Sequence, residues 1–191
     1  MFRLAALPLA ILAGIALLAT PADAAGVHVS IQPDAFNPKT VTVPQSATVI
    51  WTNTDGIAHT STSDDGFWDS GNIAAGHTFS VTFRNAGGYG YLCTIHGFTG
   101  TVRVPMKKSG SAGSGWTVRR SSASSAAGHN FDVQLKRPGQ SAFHSFRSAT
   151  TALKAFFNPT KAGTYKFRSR TRITSSGKTS GFSPVLTLSI S

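Results

Sequence analysis

Between residues 27 and 104 the apolar positions fall on alternate residues, in short runs. Val27, Val29 and Ile31 alternate with polar neighbours, followed by Val41 and Val43, then Phe79, Val81 and Phe83, then Tyr89, Tyr91 and Cys93, and finally Val102 and Val104. A period of two puts every second side chain on one face of a strand, and β-branched and aromatic residues favour that state, so these runs predict half-buried strands. Turn-forming residues separate them at Asn37-Pro38, Thr54-Asp55-Gly56, Asp64-Asp65-Gly66, Ala75-Gly76 and Gly87-Gly88. Roughly seven short strands within about 80 residues predict a β-sandwich. The alternation resumes at Trp116-Thr117-Val118-Arg119, Phe131–Lys136, Phe143–Arg147, Thr164–Arg172 and Val185–Ile190. The second half is therefore also read as all-β, and no helical periodicity competes in either half.

The first residues break this pattern. Arg3 is followed by an uncharged apolar run from Leu4 to Ala19 and then by Ala22-Asp23-Ala24. A cation, an apolar stretch and small residues in that order are the signature of a secretory signal peptide, so residues 1–24 are expected to be removed after Ala24. Pro8, Gly14 and Pro21 make the same run a poor membrane span. No later stretch is long and apolar enough to cross a bilayer, so the mature chain is expected to be a soluble exported protein. Bacterial export to the periplasm, the cell envelope or the medium fits that signal.

Charge divides the mature chain. The 191 residues carry a net charge of +11, but its distribution is uneven. Residues 25–105 hold three cations, Lys39, Arg84 and Arg103, against five aspartates, for a net of −2. From Met106 onward there are 14 cations and one anion, Asp132, for a net of +13. The change falls at MKKSGSAGSG, residues 106–115, a Gly/Ser/Lys stretch that reads as a flexible linker. Two domains are expected, at 25–105 and 116–191. Apolar residues make up 40% of the chain, which is enough for packed cores and excludes wholesale disorder.

Cys93 is the only cysteine, so no intramolecular disulfide forms, and a lone thiol in an oxidising compartment needs another explanation. It ends the run Tyr89-Gly90-Tyr91-Leu92-Cys93, and His96 follows three residues later on the loop to the next strand. His59 lies on a different turn, after Val49-Ile50-Trp51-Thr52. If the two loops share one end of the sandwich, the three residues offer a thiolate and two imidazoles to a single metal ion. A trigonal His2Cys set of this kind is the mark of a blue-copper electron-transfer centre. His28 and His77 read as surface residues, and Trp51, Trp68, Tyr89 and Tyr91 as sandwich packing.

Six segments occur in the order found in cupredoxins: Phe36–Val43, Val49–Asn53, His59-Thr60, Trp68–Gly71, Phe79–Phe83 and Tyr91–His96. Over about 26–105 the chain resembles that family, most closely its plastocyanin and amicyanin group. The resemblance implies a Greek-key β-sandwich holding one copper ion, Cu(I) or Cu(II), with His59, Cys93 and His96 as equatorial ligands. It also implies that the Thr60 N–H hydrogen-bonds the cysteine sulfur, and that His96 is the exit for the electron. The sequence departs from the family at the weak axial ligand. Thr99 stands three residues after His96 where short-loop members have methionine, and a shift by one residue puts Phe98 there instead. The remaining methionines, Met1 and Met106, fall in the signal and the linker. With Phe98 filling that space the site is expected to be more oxidising than one with a thioether. A Thr99 hydroxyl or the Ala58 carbonyl is the alternative weak donor. The reading that follows is a secreted type 1 (blue) copper protein performing outer-sphere single-electron transfer. A copper store or delivery protein, and a metal-free cupredoxin-like binding module, remain open beside it. No G-x-S-x-G, H-E-x-x-H or P-loop is present, nor are the further histidine clusters of a multicopper oxidase, so no enzyme activity is expected.

In the second half, Gly163–Arg168 and Ser180–Pro184 resemble the late strands of a fibronectin type III domain, where a tyrosine near a strand start fixes a sandwich corner. An immunoglobulin/fibronectin III-like sandwich is expected there. Arg168, Arg170 and Arg172 alternate with Ser169 and Thr171 and share one strand face. They form either a solvated basic face or a patch for an anionic cell-envelope polymer, membrane headgroups or an acidic redox partner. Nucleic acid is not an expected partner for an exported chain. The redox partner is unassigned by the sequence.

Overall fold

The computed structural model describes residues 26–190, so the signal peptide expected at 1–24 lies outside the described residues. The described residues form fifteen strands and no α-helix. Among them no helix is long and apolar enough to cross a membrane.

Eight strands build the first unit: β1 (Val27–Gln32), β2 (Ala35–Asn37), β3 (Thr40–Thr42), β4 (Ala47–Asn53), β5 (Thr62–Ser63), β6 (Thr78–Phe83), β7 (Gly87–Leu92) and β8 (Thr99–Val104). They form two four-stranded sheets, ordered β2-β1-β4-β6 and β3-β8-β7-β5. The β1/β4 and β3/β8 pairs are parallel and the other pairs antiparallel. Inward positions of both sheets interdigitate around Trp51, whose ring meets Trp68, Phe79, Phe83 and Tyr91. Val29, Ile31, Val49, Tyr91 and Val102 are fully buried here. Each such side chain contributes about 1.5–3 kcal/mol by leaving water. The alternation that predicted the strands is thus the alternation of core and surface. Gly87 and Gly88, expected as a turn, instead begin β7.

The second unit contains β9 (Lys107–Ser111), β10 (Gly115–Arg119), β11 (His129–Lys136), β12 (His144–Thr150), β13 (Lys154–Phe157), β14 (Gly163–Ile173) and β15 (Leu186–Ile190). Sheets β13-β10-β9 and β12-β11-β14-β15 are antiparallel throughout. Val118, Val133, Leu135, Tyr165, Phe167 and Leu188 fill the core between them.

The flexible linker expected at 106–115 is a correction. Met106 is buried in the second core, and residues 107–111 pair with 115–119 as a hairpin. Ser111 and Ser114 exchange hydrogen bonds across its tip, and Gly110 and Gly115 adopt the positive φ angles that the turn needs. All five β9 residues are exposed, and beside the backbone pairing only Lys107 and Lys108 tie the strand down, by donating to Gln45 O and Thr187 O, so it leaves no apolar pattern in the sequence.

The two units meet at the start of β7. Gly88 donates to Gly181 O (2.9 Å) and Gly181 donates back to Gly88 O (2.8 Å). A Cβ on Gly88 would lie 3.0 Å from Phe182 O, so glycine permits this close approach. The Thr171 hydroxyl adds a bond to Ala86 O, and Gln45 Nε2 donates to Pro105 O and Arg119 O. Cys93 follows the other end of β7, about 20 Å away at some 3.4 Å per strand residue. The second unit therefore covers the end of the first sandwich remote from Cys93.

Asp132 on β11 accepts from Arg170 Nε (2.9 Å), Arg172 Nη2 (2.8 Å) and the Ala149 N–H (3.0 Å). Burial raises the carboxyl pKa, but the Ala149 N–H and the two guanidiniums outweigh it, leaving the group below its ordinary value. A folded pKa below the unfolded one gives stability that is present above the unfolded pKa, near 4, and is lost as the pH falls through the folded pKa. Asp132→Asn is expected to cost about 2 kcal/mol at neutral pH and to flatten the loss of stability below about pH 4. Urea unfolding of both proteins across that range checks this; identical pH slopes would overturn it.

Candidate metal centre

Cys93 follows β7 directly and is fully buried. The loop after it is closed by two backbone bonds, from Cys93 N–H to Phe98 O (2.9 Å) and from Gly97 N–H to Cys93 O (2.8 Å). Gly97, at a φ of 79°, makes so tight a turn accessible. His96 sits in that turn, part way out of the protein. His59 comes from the loop after β4 and is anchored by paired backbone bonds with Ile73 (3.1 and 2.7 Å). Next to it, Thr60 N–H points at Cys93 Sγ (3.4 Å), and the Thr60 hydroxyl accepts from Thr94 N–H (2.9 Å). Thr60 thus ties the two loops together at the sulfur.

The three side chains meet as the sequence predicted. Cys93 Sγ lies 3.6 Å from His59 Nδ1 and 3.6 Å from His96 Nδ1, and the two Nδ1 atoms are 3.0 Å apart. The centre of this triangle is about 2.0 Å from each atom, the length of a bond from a first-row metal to imidazole nitrogen and slightly short of one to thiolate sulfur. With neither Nδ1 protonated, both imidazole lone pairs and the sulfur would converge on that centre, as a bound cation requires. Burial alone would raise the Cys93 pKa; the Thr60 N–H, His59 and His96 overcome it and bring the thiol down to about 6. Cys93 is then largely thiolate at neutral pH, the form that binds metal.

Asp55 completes the site and was read from the sequence only as a turn residue. Its Oδ2 is 2.9 Å from His59 Nε2. The N–H donated there fixes the tautomer and leaves the Nδ1 lone pair facing Cys93 and His96. Asp55 is itself fixed, since its N–H donates to Asn53 Oδ1 and its Oδ1 accepts from Gly56 N–H. The bond to His59, with that from Gly56, holds the Asp55 carboxyl below the ordinary carboxylate range. The available signal was a carboxylate four residues before a histidine, which has no meaning until a loop folds the two together.

Phe98 packs on both imidazoles, with ring centroids 5.4 Å from His59 and 6.3 Å from His96, and on Phe36 at 4.8 Å. Thr99, the other position considered for the axial side, is exposed at the start of β8 and paired with Leu92. Met106 lies in the second core, remote from these residues. His28 and His77 are exposed. His96 is exposed too, while His59 and Cys93 are buried. Ile57 and Ile95, on the two site loops, are 53% and 49% exposed and leave apolar surface beside it.

A β-sandwich carrying one thiolate and two imidazoles at one end is a site suited to a single copper ion, the borderline-soft metal that such a donor set favours. Residues 5–104 match the family described as a cupredoxin-like domain, and the chain belongs to that family. It is 34% identical over 83 residues to a plastocyanin of Scenedesmus fuscus, an alignment covering 36% of this chain and 85% of that protein. With a chloroplastic plastocyanin of Tetradesmus obliquus the identity is 33% over 107 residues, covering 47% and 74% of the two chains. Among solved structures, a purple cupredoxin from Nitrosopumilus maritimus aligns with 41% of this chain and 98% of its own, at 25% identity and a TM-score of 0.39.

Proposed function

We propose that this chain is a secreted type 1 (blue) copper protein that carries single electrons by outer-sphere transfer, with His59, Cys93 and His96 as equatorial ligands. The reading is carried by the triangle of Sγ and two Nδ1 atoms in which the sulfur and one imidazole are buried and the other imidazole is exposed. Copper at that point supplies the one-electron Cu(II)/Cu(I) couple. The protein supplies geometry: both loops are tied by backbone bonds before any metal binds, so a change of oxidation state moves the donors little. His96 presents its ring to solvent, and the apolar surface of Ile57 and Ile95 sheds water readily when a partner docks. The redox partner is a protein of unassigned identity that meets this end. Likeness to plastocyanins supports a carrier rather than an enzyme.

Phe98 packs beside the imidazoles and has no donor atom; copper held by His59, Cys93 and His96 would gain no thioether from it, which would favour Cu(I). Phe98→Met is expected to lower the reduction potential measured by voltammetry; an unchanged or raised value would show that residue 98 does not face the metal.

The second unit is proposed to be a fibronectin III-like sandwich. Its three-plus-four strand order supports this, as does Tyr165 at the start of β14, whose hydroxyl donates to Lys161 O (2.8 Å) as a corner tyrosine does. Tyr89 makes the same bond to Asn85 O (2.8 Å) in the first unit.

The function is tested by titrating the reduced mature chain with Cu(II) while recording the visible spectrum and then the voltammogram. An intense thiolate-to-copper band saturating at one equivalent, with a reversible wave, is expected. One equivalent bound without a reversible wave would favour copper storage. No binding would leave a metal-free interaction module.

A further inference from the structure

Alternate residues of β14 face away from the second core: Lys166, Arg168, Arg170 and Arg172, while Tyr165, Phe167, Ser169 and Thr171 are buried. Directly opposite them on β11 stand Lys136, Gln134, Asp132 and Asn130. Arg147 on β12 lines the same face beside Arg170 and Arg172, and the turn after β11 adds Arg137 next to Lys136 and Lys166. Seven cations thus share a face with one carboxylate, Asp132.

The arginines are not loose. Arg168 donates through Nε to Gln134 (2.8 Å), and its guanidinium lies over the rings of Phe143 (4.2 Å) and Phe182 (4.3 Å). Arg170 is held through Nε by Asp132 and lies 5.2 Å over Phe182. These contacts fix the side chains at their Nε ends and leave the terminal nitrogens of Arg168 and Arg170 to meet an anion, while Arg172, bonded through Nη2 to Asp132 and through Nη1 to Gly177 O, keeps its Nε–H and the second N–H of each terminal nitrogen. An array ordered in advance gives up little conformational freedom on binding. Guanidinium is also the side chain best matched to phosphate.

Spacing identifies the anion. Side chains two apart on one strand are about 6.8 Å apart, and the row of four spans about 20 Å. A polymer with six single bonds between successive phosphorus atoms repeats at much the same distance when extended. Carboxylates of a uronic-acid polymer follow the sugar ring and alternate in direction, a different repeat. Single-stranded nucleic acid shares the six-bond repeat but takes much of its affinity from bases stacked on open aromatic faces. Here Phe143 and Phe182 already carry guanidiniums.

We propose that the outer face of β11 and β14 binds an extended polyol-phosphate polymer, one phosphodiester to each outward residue of β14. This goes beyond electron transfer and is independent of it. The face belongs to the unit docked at the remote end of the first sandwich, so the polymer moors the protein while the His96 end stays open.

The probe is poly(glycerol phosphate), titrated into the full mature chain at several salt concentrations. Four phosphate contacts predict a slope of log K against log[salt] of about −3. Lys166→Gln/Arg168→Gln is expected to halve that slope and to weaken binding at least about tenfold at low salt. Lys39→Gln/Lys154→Gln, an equal charge change off this face, is expected to leave both unchanged. Should the Arg168 variant unfold, Lys166→Gln alone, which alters one solvent-reaching lysine, must weaken binding and lower the slope by about a quarter. An equal loss in the Lys39/Lys154 control would reduce the effect to net charge and overturn the proposal. So would equal or tighter binding of oligo(dT), polygalacturonate or anionic phospholipid vesicles. The copper band is read in the same samples, so failure of the polymer site and failure of the metal site are seen separately.

Discussion

Cys93→Ser, titrated with Cu(II), is expected to show no intense visible band and no reversible copper wave. The band of a type 1 centre arises from charge transfer between thiolate sulfur and copper, and a serine hydroxyl at neutral pH is neither ionised nor soft. Cys93 is already thiolate-prone because the Thr60 N–H and both imidazoles face its sulfur. Serine is nearly isosteric, so the strand and its loop should stay in place. Far-ultraviolet circular dichroism and thermal unfolding will establish that the loss is local. A band of undiminished intensity in the serine variant would remove Cys93 from the site and with it the electron-transfer reading.

The second large effect is expected at Asp55. Removing its carboxylate by Asp55→Ala frees the His59 ring to rotate and to exchange tautomers. Loss of a comparable outer partner typically lowers metal affinity 10–100-fold, and a fall of that size in copper affinity, measured by competition with a chelator, is the expected outcome. Asp55→Asn keeps an acceptor oxygen beside Nε2 but removes the charge. It should retain most of the affinity while raising the reduction potential, because a negative charge one hydrogen bond from His59 favours Cu(II). If Asp55→Ala binds copper as tightly as the unaltered chain, the backbone bonds to Ile73 suffice to orient His59.

Both predictions depend on residues of unequal visibility in the sequence. Cys93 and His96 are three apart on one loop, a pair that is a weak signal by itself and gained its meaning from the lone cysteine and from His59. His59 is 34 residues before Cys93, and its place in the set rested on the order of segments shared with cupredoxins. Asp55 was visible only as part of a turn. Its partnership with His59 exists because Asn53 and Gly56 fold the loop so that a carboxylate comes within 2.9 Å of Nε2. The axial side followed the same division. The lack of a nearby methionine was plain in the sequence, whereas the backbone path after Gly97, which lays Phe98 on the imidazoles and carries Thr99 into β8, was not.

The row Arg168, Arg170 and Arg172 makes the contrast sharper. Alternation alone put the three on one face, yet it suggested only a solvated stripe or a patch. Gln134, Asp132, Phe143 and Phe182 come from other parts of the chain and convert the stripe into an ordered array.

By itself, then, the sequence determined the all-β class, the core positions of both units and the thiolate-imidazole donor types, because period-two burial and ligand type are local properties of the chain. Tertiary structure alone decided that residues 106–115 are not a linker, that the second unit covers the end remote from Cys93, and that Asp55 supports His59. Those features rest on backbone pairing of an apolar-free strand, on glycine contacts between distant segments and on a hydrogen bond across a turn. None of these leaves a periodic trace, since hydrogen bonds join atoms that only the folded chain brings within 3 Å.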